Sequence, residues 1–143
     1  MIVVAIVDAR RHVGEYDKNP FLFGHYNAKS VSCLVNDISI PGRPMTSEFL
    51  KGRYAAAYTS FAAVSENCFI DYEAYKGGYT MWVFNINPKE NDEDLRLLKS
   101  GNIRLDIPFG TELPEPVQVI VFGHFQNCFQ IVELRKVYFS MNH

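Results

Sequence analysis

Apolar and polar residues alternate along much of this chain with a period of two, and where the alternation stops, runs that are apolar on both faces replace it. In the stretch Gly101 to Phe125, Ile103, Leu105, Ile107 and Phe109 alternate with Asn102, Arg104, Asp106 and Pro108. That pattern predicts a strand with one face on a core and the other on solvent. Further on, Val117, Val119 and Val121 fall on one side and Ile120 and Phe122 on the other, which predicts a central strand covered twice. Gly110, Pro114 and Pro116 break the chain between the two. Ile2 to Val7 is a continuous β-branched run and predicts a buried strand. Lys29 to Ile40 predicts a hairpin: Val31, Cys33 and Val35 alternate with Ser30, Ser32 and Leu34, Asn36-Asp37 turns, Ile38 and Ile40 resume, and Pro41, Gly42 and Pro44 end it. Tyr79 to Ile86, apolar on both faces and carrying the one Trp, predicts another central strand. Phe129 to Glu133 and Lys136 to Phe139 predict two short strands joined through Leu134-Arg135, which brings the total to about eight.

Helical periodicity is confined to short stretches. Tyr54, Ala57, Tyr58 and Phe61 stand at i, i+3, i+4 and i+7 within Arg53 to Val64, which predicts one helix across an end or side of the sheet. Asp71 to Tyr75 predicts a single turn with Asp71 as N-cap and Gly77 at its far end. Asp8 to Tyr26, punctuated by Gly14, Asn19-Pro20 and Gly24, reads as a loop pinned to the sheet by Phe21, Phe23 and Tyr26. Lys89 to Asp94 is charged and solvated, with a helical turn expected over Leu95 to Lys99. No repeat, low-complexity tract or linker divides the chain, and 143 residues fit a single domain over 1–143. The expected fold class is all-β, an antiparallel β-sandwich with one or two short helices in the connections.

Composition narrows the function classes. Aromatic residues make up 14% of the chain, eleven of them Phe and eight Tyr, a content that suits strands. A formal net charge of −2 with no cluster of Lys and Arg argues against nucleic-acid binding, which needs a basic face to neutralise phosphates. Cys33, Cys68 and Cys128 are odd in number and widely spaced, so they read as reduced, buried thiols rather than a disulfide framework or zinc knuckle. Met1 to Val7 is far too short to span a bilayer and lacks the marks of a signal peptide, so no membrane partner is expected and the site of action is read as intracellular.

Candidate chemistry is sparse. His12, His25, His124 and His143 form no tight pair and no H-E-x-x-H, so no metal site is predicted. His124 could approach Cys128, or a cysteine on another strand, as a Cys/His dyad, but a packed histidine beside a buried thiol is the preferred reading. Asp8, Glu15 and Asp17 gather near the first loop, where a solvated polar loop is preferred over paired catalytic carboxylates or a calcium loop. Gly77-Gly78 precedes a strand and reads as a tight turn, not a phosphate cradle. Tyr72, Tyr75, Tyr79 and Trp82 could form a sugar-stacking platform, with core packing again preferred. No catalytic residue, cofactor or metal is assigned.

Three blocks in one order carry a resemblance: NPFLFGHYNAKSVSCLVNDISIPGRPM (Asn19 to Met45), GGYTMWVFNINP (Gly77 to Pro88) and SGNIRLDIPFGTELPEPVQVIVFGHFQN (Ser100 to Asn127). Together they resemble the C-terminal third of the major capsid proteins of Polinton/Maverick transposons and the related adintoviruses. Asn19-Pro20-Phe21, Tyr26-Asn27, Asn36-Asp37, Pro41 to Pro44 and Gly101 to Leu105 stand at the family's landmarks, while His124 and Gln126 around Phe125 depart from its acidic pair. The resemblance implies a jelly roll from a double jelly-roll capsid protein, N-terminally truncated because the family's first sandwich and the opening of the second have no counterpart here. It implies no catalytic residues. The expected function is therefore non-enzymatic and structural, through self-association as a homo-oligomer or contact with a capsid-like protein, in the cytoplasm, nucleus or virion. The alternative is a β-sandwich module that binds a glycan or another ligand through its aromatics.

Overall fold

The computed structural model describes residues 1–64, 69–86 and 101–124, together with the backbone of 129–132 and 136–139. Eight strands lie where eight were expected: β1 (Ile2–Asp8), β2 (Ser30–Val35), β3 (Ile38–Thr46), β4 (Met81–Phe84), β5 (Ile103–Asp106), β6 (Val117–Gly123), β7 (Phe129–Val132) and β8 (Lys136–Phe139). Three short helices, α1 (Ala9–Val13), α2 (Ala55–Ala62) and α3 (Tyr72–Gly78), and a 3-10 turn at Phe49–Lys51 occupy the connections. Two antiparallel three-stranded sheets, in the orders β4-β1-β6 and β3-β2-β5, pack together as an all-β sandwich. β7 and β8 pair antiparallel with each other.

The centre of the first sheet is β1. Its even positions, Ile2, Val4 and Ile6, are buried with Val31, Cys33, Met45, Phe49, Trp82 and Phe84 in the core shared by both sheets. On its other face Ala5 and Val7 are buried as well, which is why this run reads as apolar at every position. The structure corrects two expectations here. Tyr79 to Ile86 and Val117 to Phe122 both read as central strands, yet β4 and β6 flank β1 and pair, among the described residues, with β1 alone. An apolar run on both faces signals cover on both faces, and it does not state which neighbours a strand has.

The hairpin of β2 and β3 turns at Asn36 and Asp37, whose φ values of 50° and 64° are the left-handed pair that a two-residue primed turn demands. The expectation that Pro41 to Pro44 would end the hairpin is wrong, because β3 runs on to Thr46. Cys33 pairs with Ile40 and Val31 with Met45, so residues 41–44 bulge outward opposite Ser32. An edge strand accommodates this because a proline there forfeits no ladder hydrogen bond.

Helix α3 is capped as expected, Asp71 Oδ1 accepting from the Ala74 N–H at 2.7 Å. It continues through Gly77 and Gly78, however, so the tight turn expected there is the helix's last turn. Gly78 is buried against the Leu22 side chain, where a Cβ would collide. Helix α2 packs along β4 and buries Ala57 and Phe61, with Tyr54 at its N-cap. Helix α1 falls where only a loop was expected; five residues carry too little periodicity to be read from sequence. The loop after it is pinned through the Phe23 N–H on Gly78 O at 2.8 Å, the Gly24 N–H on Ile6 O at 3.0 Å and the half-buried Tyr26. Phe21 is 70% exposed and pins nothing.

Candidate functional site

The polar residues weighed as chemistry serve the fold. Asp8 is buried at the end of β1, where it caps α1 by accepting from the Arg10 N–H at 2.9 Å. Lys18 Nζ lies 3.2 Å from its other oxygen, and Arg10 and Arg11 approach within 3.7 and 3.9 Å. The backbone hydrogen bond from Arg10 and the cation of Lys18 hold the Asp8 carboxyl below its ordinary range. Lys18 also binds Glu15 at 3.1 Å, and Arg10 reaches Glu115 at 2.9 Å, tying α1 to the segment before β6. Asp8 therefore faces cations, not Glu15 or Asp17 as a partner carboxylate. An open groove of about 370 Å³ beside this knot is lined by Ala9, Arg10, Val13, Gly14 and Glu15. Among the described residues no three His, Cys, Asp or Glu side chains gather where they could hold a metal ion.

The histidines are dispersed. His12 is exposed, and His143 lies outside the described residues. His124 directly follows β6, exchanging both backbone hydrogen bonds with Met1 at 2.8 and 2.9 Å. Its suggested partner Cys128 lies outside the described residues, as do Cys68 and the helical turn expected over Leu95 to Lys99. Cys33 is a free, buried thiol whose pKa is raised by burial, the opposite of an activated nucleophile. His25 stacks on Phe49 with ring centroids 4.4 Å apart, and its Nδ1 accepts from the Asn27 N–H at 2.9 Å. Burial and the charge of Lys76 lower its pKa.

That stack continues into the core. Phe49 lies on Tyr54 at 5.1 Å and Tyr54 on Tyr72 at 4.1 Å, while Trp82 meets Phe49 edge-on at 6.2 Å. Tyr58 and Phe61 of α2 close on Tyr75 at 5.5 and 5.4 Å. Of the four rings considered for sugar stacking, Tyr75 and Trp82 are fully buried in this aromatic layer, Tyr72 is half-buried, and Tyr79 is 46% exposed. Packing has taken the platform.

A different feature is left open. Each three-stranded sheet has two outer edges, and such edges invite pairing with other chains unless they are blunted. The edge of β3 is blunted by exposed Pro41 and Pro44 and by the bulge they create. The edge of β5 carries exposed Arg104, in ion pairs with Asp37 at 3.7 Å and Asp106 at 3.5 Å. At β4 the packed helix α2 gives cover, and the Tyr75 hydroxyl donates to the Met81 carbonyl at 2.7 Å. The edge of β6, VQVIVFG, has no charge, no proline and no bulge, and Val121 and Phe122 are 50% and 60% exposed.

The polarity of that edge follows from the ladder. Met1 and His124 exchange both hydrogen bonds, and the Ala9 N–H meets Pro116 O at 3.0 Å, so the bonded pairs of the β1–β6 ladder fall at residues 116, 118, 120, 122 and 124. Val117, Val119, Val121 and Gly123 therefore aim their N–H and C=O groups away from β1. Reading the sequence for a central strand missed these residues. The available signal was the lack of Pro and charge in 117–123, set against Pro41 and Pro44 on β3 and Arg104 and Asp106 on β5.

Comparison with known proteins adds one relative. Over 94% of its length the chain is 25% identical to an uncharacterized protein of Caenorhabditis elegans, and it spans 34%, about a third, of that protein's length. No family model matches the chain, and no solved structure does. Among the described residues no helix is long and apolar enough to cross a membrane.

Proposed function

We propose that this protein is a non-enzymatic structural module that works through protein–protein contact at a sheet edge, as a jelly-roll piece of a Polinton/Maverick or adintovirus-like capsid lineage. One observation carries the reading: three of the four edges of the two three-stranded sheets are defended, and β6 presents an uncharged apolar strand with its outer backbone groups unpaired among the described residues. The order of the three sequence blocks supports the lineage, and the sandwich of two antiparallel sheets is compatible with it. The place of action that goes with this reading is the cytoplasm, nucleus or virion. No observation favours the glycan-binding alternative, whose rings Trp82 and Tyr75 are in the core.

Sedimentation velocity of the 143-residue chain at micromolar concentration, with binding of a hydrophobic dye in parallel, tests the proposal. Association beyond the monomer is the expected result. A clean monomer that binds no dye overturns it.

A further inference from the structure

We infer that the partner taken by β6 is a second copy of this chain, joined by antiparallel β6–β6 pairing across a two-fold axis through Ile120. The inference rests on β6 being the contact edge, and it adds the partner and the register.

The register follows from which groups face outward. Val117, Val119, Val121 and Gly123 offer four N–H and four C=O groups, and an antiparallel copy centred on Ile120 sets Val117 opposite Gly123 and Val119 opposite Val121. Every outward group then has a partner, giving eight backbone hydrogen bonds, a number within the range of ordinary interfaces at roughly 10 ± 5. Centring on Val119 strands Gly123, and centring on Val121 strands Val117, so each forfeits two of the eight bonds. In the Ile120 register, Ile120 faces its own copy at a non-hydrogen-bonded pair, where side chains come closest. The half-exposed Val121 is covered by Val119, and the ring of Phe122 lies opposite the Gln118 side chain. No like charges meet, since the strand has none.

The choice of a second copy over a different strand has its own argument. Pairing β6 onto the β3, β4 or β5 edge of another copy meets prolines, a helix or charges. Among the edges of the two three-stranded sheets, β6 alone is free to receive β6, so the contact is isologous and closes at two. A six-stranded sheet, β4-β1-β6 continued by its symmetry mate, is the product.

Charges of opposite sign introduced at the symmetry centre test both partner and register. By sedimentation equilibrium at micromolar concentration, the wild-type chain is expected to be a dimer and Ile120→Lys and Ile120→Glu monomers, while an equimolar mixture of the two variants recovers the dimer. Val121→Pro provides a second route, because it deletes an outward N–H and no bond to β1, and its expected result is a monomer with wild-type circular dichroism. If the charged variants fail to fold, the proline variant decides. A dimer that survives Val121→Pro and both charge changes overturns the inference and leaves the structural reading standing, with the contact elsewhere. A wild-type monomer whose Val119 and Val121 amides resist hydrogen exchange also overturns it, since the chain then covers its own edge. A monomer with those amides exchanging freely overturns both.

Discussion

The two neighbours of β1 have nearly the same apolar content and opposite fates. Strand β4 contributes Trp82, Val83 and Phe84, all buried, whereas β6 leaves Val121 and Phe122 half exposed or more. The difference lies in what the connections bring. Helices α2 and α3, between β3 and β4, lay Tyr54, Tyr58, Phe61 and Tyr75 against β4, whereas the described helix that meets β6, α1, brings no Phe, Tyr or Trp. Whether an apolar strand becomes core or contact surface is thus decided by the connecting segments, not by the strand.

The contrast can be attacked from the sealed side first. Trp82→Ala is expected to cost about 3–5 kcal/mol in chemical denaturation, the range for large core aromatics; a cost under ~1 kcal/mol would mean β4 is no more buried than β6. Tyr75→Phe removes the hydroxyl that caps the outward Met81 carbonyl, with an expected loss of about 1–3 kcal/mol for the orphaned buried acceptor. Asp71→Ala strips the cap from α3 and is expected to cost about 1 kcal/mol, while Asp71→Asn retains most of the stability.

Acid should also loosen the sealed side. The folded-state pKa of His25 is lowered from 6.5, so the unfolded chain takes up the proton first as pH falls. Its contribution is therefore whole above about pH 6.5 and declines from there toward the depressed folded value. Protonation also removes the Nδ1 acceptor from the Asn27 N–H. The thermal midpoint of the wild type is expected to fall over that window and that of His25→Phe to stay flatter. The smallest effect belongs to the open side: in the monomeric Val121→Pro background, Phe122→Ser is expected to change stability by no more than about 0.5 kcal/mol, as at other surface positions. A larger loss there would show that β6 is covered within the chain itself.

Much of this architecture was legible in the chain. Each of the eight strands overlaps a segment read as strand, Asn36-Asp37 makes the turn its residue types favour, and Asp71 is the N-cap. Three things were not. The bulge of Pro41 to Pro44 keeps β3 going because an edge strand spares the missing N–H, and edge position is a property of the assembled sheet. Helix α1 is capped by Asp8, whose carboxylate is also held by Lys18, a contact that exists only once the loop has folded back. The open edge was hidden for the same reason: alternation reports how many faces are apolar, and the free edge lies perpendicular to both.

The pairing of Met1 with His124 closes a loop in which the partners stand 123 positions apart. During synthesis β1 emerges with both faces apolar and with neither sheet neighbour yet made. At ribosomal speeds of roughly 5–20 residues per second, β6 follows on the order of ten seconds later. Over that interval the strand destined for the middle of the first sheet is an exposed segment, and a chaperone that binds short β-branched stretches would find its target at Ile2 to Val7.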